Sequence, residues 1–226
     1  MPRRLSSDYI SNVYEEFKSL KGAELREIIR FYEENKEDIN ALELNEFFEL
    51  QVSYLCALFE FNEFDKFLAL VDEAIEASII HNIQFVDHEN IYNKLLYLKA
   101  EALHYQLEYH QAAFIFEELI KIDPYKDKYA NAFSRTKNKL IPRYLKNSRA
   151  VSIVFFILTA VVIAAELLII RNFLEDWIST FEWTRNILFV AGWLILIFGE
   201  LTHYWRVEQL VSKKVSHFKK QKSFKQ

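Results

Sequence analysis

Glycine and proline are nearly missing from this chain: three of each among 226 residues, where average usage gives roughly 16 and 11. Both residues punctuate turns and hairpins, so their scarcity argues against a strand-and-turn architecture and for long helices. The expected fold class is all-α. One cysteine, Cys56, excludes an internal disulfide and fits a reducing compartment. Flanked by Leu55 and Ala57, it reads as a small buried residue and not as a nucleophile. There is no glycine-rich phosphate loop, no CxxC pair and no HExxH. His81, His88, His104 and His110 stand at no metal-ligand spacing. No enzyme activity, cofactor or metal is therefore expected. The opening MPRRLSSDYI lacks the apolar run of a signal peptide, which places the first domain in the cytoplasm by expectation.

Charge is plentiful but uneven. The formal charge of −4 combines two opposite halves. Residues 1–130 carry 26 Asp/Glu against 13 Lys/Arg, a balance of −13; residues 131–226 carry 15 Lys/Arg against 6 Asp/Glu, a balance of +9. The basic half surrounds two long apolar runs. A hydrocarbon core of about 30 Å takes roughly 20 residues at 1.5 Å each. AVSIVFFILTAVVIAAELLII (150–170) and NILFVAGWLILIFGELTHYW (186–205) both meet that length, and neither shows the broad polar stripe of a soluble helix.

Flanking charges orient these spans. Arg135, Lys137, Lys139, Arg143, Lys146 and Arg149 precede the first with no acid among them. Arg206, Lys213, Lys214, Lys219, Lys220, Lys222 and Lys225 follow the second against Glu208 alone. The connecting residues 171–185 hold two arginines against Glu175, Asp176 and Glu182. Lys and Arg accumulate on the cytoplasmic side, so a multi-pass inner-membrane protein with both termini cytoplasmic is expected. Within 171–185, Phe173, Leu174, Trp177, Ile178 and Phe181 share one helical face, which predicts a short amphipathic helix on the outer leaflet. The expected organisation is a helical domain over 1–141, a transmembrane hairpin over 142–206 and a basic tail over 207–226.

Residues 97–124, YLKAEALHYQLEYHQAAFIFEELIKIDP, resemble a tetratricopeptide repeat. Ala100 and Ala112 stand at the small positions of its two helices, Tyr109 at the turn, Phe116 at the aromatic slot and Pro124 at the close. Leu103 and Leu119 replace the usual aromatic and alanine. A second, divergent copy lies 45 residues upstream, with Phe64, Phe67, Val71 and Ala74 matching Tyr109, Ala112, Phe116 and Leu119. Its second helix is expected to run on through ASIIHNIQF. DYISNVYEEFKSL and AELREIIRFYEENK offer a third, weaker pair, and PYKDKYANAFSRTKNKL a closing helix ended by Pro142.

The resemblance implies an N-terminal TPR-like solenoid whose groove holds a protein or peptide. By repeat position the groove residues are Lys94, Tyr97, Glu101, His104, Tyr105, Lys128, Asn131, Arg135 and Asn138, with Lys139 beside them. Their bases and amides suit an acidic or carboxylate-ended peptide. Arg135 and Lys139 read equally as partners of anionic lipid headgroups. Nucleic acid is not expected.

Polar groups in the spans form a second set of candidates: Glu166, Glu200 and His203, with Gly192 and Gly199 as helix-contact positions. Ala160, Ala164, Ala165 and Ala191 also permit close approach. Matching the two midpoints places Glu166 at the depth of Phe189 and Val190, about 9 Å outward of the first span's centre. There it serves either the outer interface or a helix contact in a homo-oligomer. Glu200 and His203, three residues apart, are expected on one face, where they can pair with each other or snorkel to the cytoplasmic interface. The favoured function is a membrane-tethered adaptor or accessory subunit. The alternative is an oligomerising, defence-type effector whose hairpins permeabilise the bilayer.

Overall fold

The computed structural model describes residues 7–20, 24–83, 85–86, 89–170 and 177–224. The expectations on 171–176, His88 and Lys225 lie outside these. The described chain is all-helical apart from a minimal antiparallel bridge. The helices are α1 (Ser7–Ser19), α2 (Leu25–Glu34), α3 (Lys36–Ile39), α4 (Leu44–Glu60) and α5 (Phe64–Ile80). After strands β1 (Phe85–Val86) and β2 (Glu89–Asn90) come α6 (Ile91–Tyr105), α7 (Tyr109–Ile122), α8 (Asp127–Lys139), α9 (Arg143–Ala165) and α10 (Ile178–Ser223). A π-helical turn, Glu166–Ile170, extends α9. The strands pair Phe85 with Asn90 and Val86 with Glu89. Two compact units result, 1–133 and 134–226, with the boundary inside α8.

Three helices of the first unit end the same way, without glycine. Asn62, Asn82 and Leu107 take left-handed conformations at φ 65°, 52° and 68°. The next amide in each case reaches back across the turn: Glu63 N to Leu58 O, Ile83 N to Ser78 O and Glu108 N to Leu103 O, each 2.9 Å. These are the closing bonds of Schellman turns, where asparagine tolerates the left-handed residue best after glycine. The α5 turn stops that helix at Ile80, short of the expected run through ASIIHNIQF. The α4 and α6 turns lie 45 residues apart, the same offset as the side-chain correspondence.

Packing repeats at that offset too. Phe67, Val71 and Ala74 of α5 are fully buried, as are Ala112, Phe116 and Leu119 of α7. The phenylalanine changes place between the copies, so the volume is redistributed and the core stays filled. α6 begins where the Asn90 side chain accepts a bond from Asn93 N at 3.0 Å, a standard N-cap. The expected α1–α2 pair is altered by α3, which intervenes after α2. Phe17 of α1 meets Phe31 of α2 at 5.7 Å, while α2 packs broadly on α4. On that interface Tyr32 and Tyr54 stack at 4.1 Å, nearly parallel, and the Tyr54 hydroxyl donates to Glu33 at 3.1 Å.

In the second unit α9 lies against α10 from the Tyr144–His203 bond to the Arg185–Glu166 bond, and both are long and apolar enough to cross a membrane. Pro142, extended at φ −71° and ψ 161°, starts α9, since it lacks the N–H an earlier helical turn would use. α10 is one unbroken helix of 46 residues. The Ile178–Arg185 half of the expected outer-leaflet helix is therefore the first part of α10, continuous with the second span.

Candidate functional site

Two places in the fold gather chemistry, one in each unit. In the first, a cleft of about 220 Å³ opens between α2, α4 and α6. Leu25 and Ile28 come from α2, Val52, Ser53, Cys56, Ala57 and Glu60 from α4, and Ile91 and Lys94 from α6. Its floor is apolar, and its charged groups are one acid and one base. Cys56 is half-buried in this wall instead of sealed in the core, because α4 turns one edge toward the cleft.

The remaining groove candidates of this unit lie elsewhere on α6 and α8. Tyr97 donates to Glu101 Oε1 at 2.7 Å, and the Lys128 ammonium sits 4.1 Å from the Tyr97 ring centre. Phe116 and Tyr129 each approach that ring at 5.8 Å. Glu101 and His104 are 5% and 9% exposed, so neither offers a surface to a partner, and the expected groove loses both. The cause is local: Glu101 turns inward to accept the Tyr97 hydroxyl, and His104 packs edge-on against Tyr109 at 5.2 Å. Tyr105 is exposed and stacks on Phe64 at 5.1 Å; Asn131 is exposed on α8. Lys94 alone of the candidates reaches the cleft. Arg135 and Asn138 belong to the second unit.

That unit is organised by a seam of seven-residue period. Leu145, Ser152, Thr159 and Glu166 are buried along one line of α9. Gly192 and Gly199 are buried on α10, with Arg185 one heptad before them. A 3.5-residue repeat keeps two long helices in contact through a left-handed twist. The glycines allow backbones to approach: a Cβ on Gly192 would meet Phe156 Cε1 at 2.9 Å, and one on Gly199 would run into Ser148. Serines then bond across the gap, Ser152 Oγ to Gly192 O at 2.8 Å and Ser148 Oγ to Ile195 O at 2.9 Å. Gly192 and Gly199 are thus helix-contact positions as expected. Ala160 and Ala164 are not, since both point outward.

Charge closes both ends of the seam. At one, Glu166, 1% exposed, accepts from Arg185 at 3.0 Å. At the other, Arg149 binds Glu200 at 2.6 Å, and His203 meets the Tyr144 hydroxyl at 3.0 Å and the Asn138 carbonyl at 3.4 Å. Three expectations change here. Glu166 finds a partner, Arg185, within the same pair of helices, a contact that the sequence alone did not predict. Glu200 and His203 do not pair with each other; each reaches across to α9. The register is also displaced by about two helical turns from equal midpoints. Matching apolar runs by their centres ignored the glycines and serines that set the contact.

Leu145, Ser152, Thr159 and Glu166, and likewise Arg185, Gly192 and Gly199, were visible as a period of seven in the sequence, while Ser148, Arg149 and Glu200 lie beside those lines. A search for a broad polar stripe passes over so narrow a line. The cleft residues Leu25, Ile28 and Val52 carried no such signal, being ordinary apolar positions of amphipathic helices. No family model, curated protein or solved structure matches the chain.

Proposed function

We propose that this chain is a membrane-tethered adaptor or accessory subunit. In this reading α9 and α10 span the membrane as a hairpin with both termini cytoplasmic. Residues 1–133 form a tetratricopeptide-like domain that holds a protein partner at the membrane face. The observation that carries it is the cleft bounded by α2, α4 and α6, where three separate helices contribute to one apolar concavity with Glu60 and Lys94 at its edge. Concave, mostly apolar clefts with a few polar groups are where proteins receive ligand side chains. The repeat resemblance adds support, through the matched turns and buried positions at one offset.

The effector alternative needs Glu166 and His203 turned toward other copies or a pore. The buried contact with Arg185 and the bond to Tyr144 occupy them within one hairpin, which counts against it. A pull-down from solubilised membranes tests the adaptor reading. Ile28→Glu combined with Lys94→Glu should lose the specific partner while the chain stays in the membrane; retention of every partner ends the reading. Protease added outside sealed cells should leave residues 1–133 intact, and their digestion overturns the orientation.

A further inference from the structure

Beyond the seam, α10 continues as an unbroken helix with two unlike sides. His203 bonds to Tyr144 of α9 and Arg206 lies over the same ring, yet the helix runs on to Ser223. Val207 and Val211 are buried on one side. At 100° per residue, Arg206, Lys213, His217 and Lys220 fall together on another, and all four are exposed. Arg206 lies over the Tyr144 ring at 4.8 Å and His217 stands edge-on to Phe218, so both are held in place from behind. Lys213 and Lys220 form no ion pair among the described residues. Lys220, in the last turn, faces the negative end of the helix dipole.

Lipid headgroups do not account for the far end of this row. Arg206 directly follows the apolar run and stands at headgroup level. At 1.5 Å per residue, Lys213 is about 10 Å beyond it, His217 about 16 Å and Lys220 about 21 Å. The headgroup layer occupies only about 5–7 Å of that, and the Debye length at physiological salt is about 8 Å. A bent or flexible tail would fold back onto the bilayer; an unbroken helix carries its lysines away from it. Nucleic acid is disfavoured because the one ring in the row, His217, is engaged edge-on with Phe218, so the row offers no platform for the base stacking that single strands use.

We propose that this basic face, Arg206–Lys213–His217–Lys220, is a docking surface for an acidic helical segment of a partner protein, with carboxylates spaced about seven residues apart to meet cations at that spacing. The inference rests on the membrane orientation given above, and it is separate from the cleft. The full chain, in bilayer discs of phosphatidylcholine alone, is titrated with a fluorescent helical peptide bearing glutamates seven residues apart, at physiological salt. Lys213→Glu with Lys220→Glu should weaken binding at least about tenfold, and Lys214→Glu with Lys222→Glu, on the other side of the helix, less than about threefold. Circular dichroism and vesicle flotation confirm that each variant is folded and inserted, so failure to insert reports on the hairpin reading and not on this surface. The proposal is overturned by equal losses in both variants, by no binding of the peptide, by phosphatidylserine in the disc displacing the peptide, or by a single-stranded RNA binding more tightly.

Discussion

Between α4 and α7 the helix interfaces are filled by Phe48, Leu55, Phe67, Leu95 and Phe116, none more than 1% exposed. Between α9 and α10 the nearest approach is made by Gly192 and Gly199, with Ser148 and Ser152 bonding to carbonyls opposite. With α9 and α10 in lipid, as proposed above, the difference follows from the solvent each unit meets. In water, burying a large apolar side chain stabilises by roughly 2–3 kcal/mol, so bulk accumulates inside. In lipid the surroundings are as apolar as the interior, and association depends on close backbones, polar contacts across the gap and paired charges. Large residues accordingly leave the seam and point outward, as Ile157, Val161, Ile187 and Leu194 do. The tryptophans, all in the second unit at 177, 183, 193 and 205, let the two behaviours be followed separately.

The largest expected effect breaks the first kind of packing alone. Phe67→Ala leaves a cavity under α5 and should cost about 3–5 kcal/mol. In the full chain, helical circular dichroism should be lost at lower denaturant while tryptophan emission keeps its wild-type midpoint. A parallel shift of both signals would show that the units do not unfold separately.

The reciprocal experiment is Gly192→Leu, which drives a side chain into Phe155 and Phe156. Overpacking of this kind costs about 1–3 kcal/mol. Trp193, which lies edge-on to Phe156 at 6.1 Å, should report it by a shifted emission in micelles, with the first unit unaffected. If Gly192→Leu is silent, the seam is not set by close approach. A milder change at the end of the seam is Glu166→Leu, which leaves Arg185 without its carboxylate. Arg185 is 31% exposed and can reach polar headgroups, so the loss should be about 2 kcal/mol. Adding Arg185→Leu should recover most of it. Dye leakage from vesicles that depends on Glu166 would instead revive the effector reading.

How far the sequence alone carried can be judged at these residues. Composition and apolar length were sufficient for an all-helical chain with two helices of membrane length, because both are properties of whole segments. The 45-residue correspondence was readable because volume is conserved across Phe67/Ala112 and Val71/Phe116. Register was not readable, since apolar runs can slide along each other until glycines and serines lock them. Nor was the inward turn of Glu101, which depends on a hydroxyl one helical turn away on Tyr97. Cys56 was assigned to the core because periodicity marks a helix face but not what neighbouring helix covers it.

Alkali should separate the units as well. Burial pushes the Tyr32 phenol from 10.0 up to about 12, with Glu73 adding to it. Burial raises Tyr54 in the same sense, helped by its bond to Glu33. A raised folded pKa means that the unfolded chain loses its protons first. The stability from these protons is thus complete below about pH 10 and declines as pH rises toward 12. Helical signal from the first unit should fall in that window as tyrosinate absorbance rises. Tyr32→Phe should make the decline shallower; an unchanged profile would place the alkaline transition elsewhere.

The smallest effect has the opposite sign. Leu107 holds φ 68° in the α6–α7 turn, a conformation that its Cβ disfavours by about 1–2 kcal/mol. It is 69% exposed, so its side chain stabilises little in return. Leu107→Gly removes the strain but adds freedom to the unfolded chain, worth up to about 1 kcal/mol. The net should be a stabilisation of about 0.5–1 kcal/mol in the first unit and none in the second. Asn62→Gly, at the matching turn, should be nearly neutral because asparagine already tolerates φ 65°. The pair thus compares two copies of one turn that differ only in how well each residue suits it. Equal responses at both sites would mean that the turns, for all their shared hydrogen bonds, are not under the same constraint.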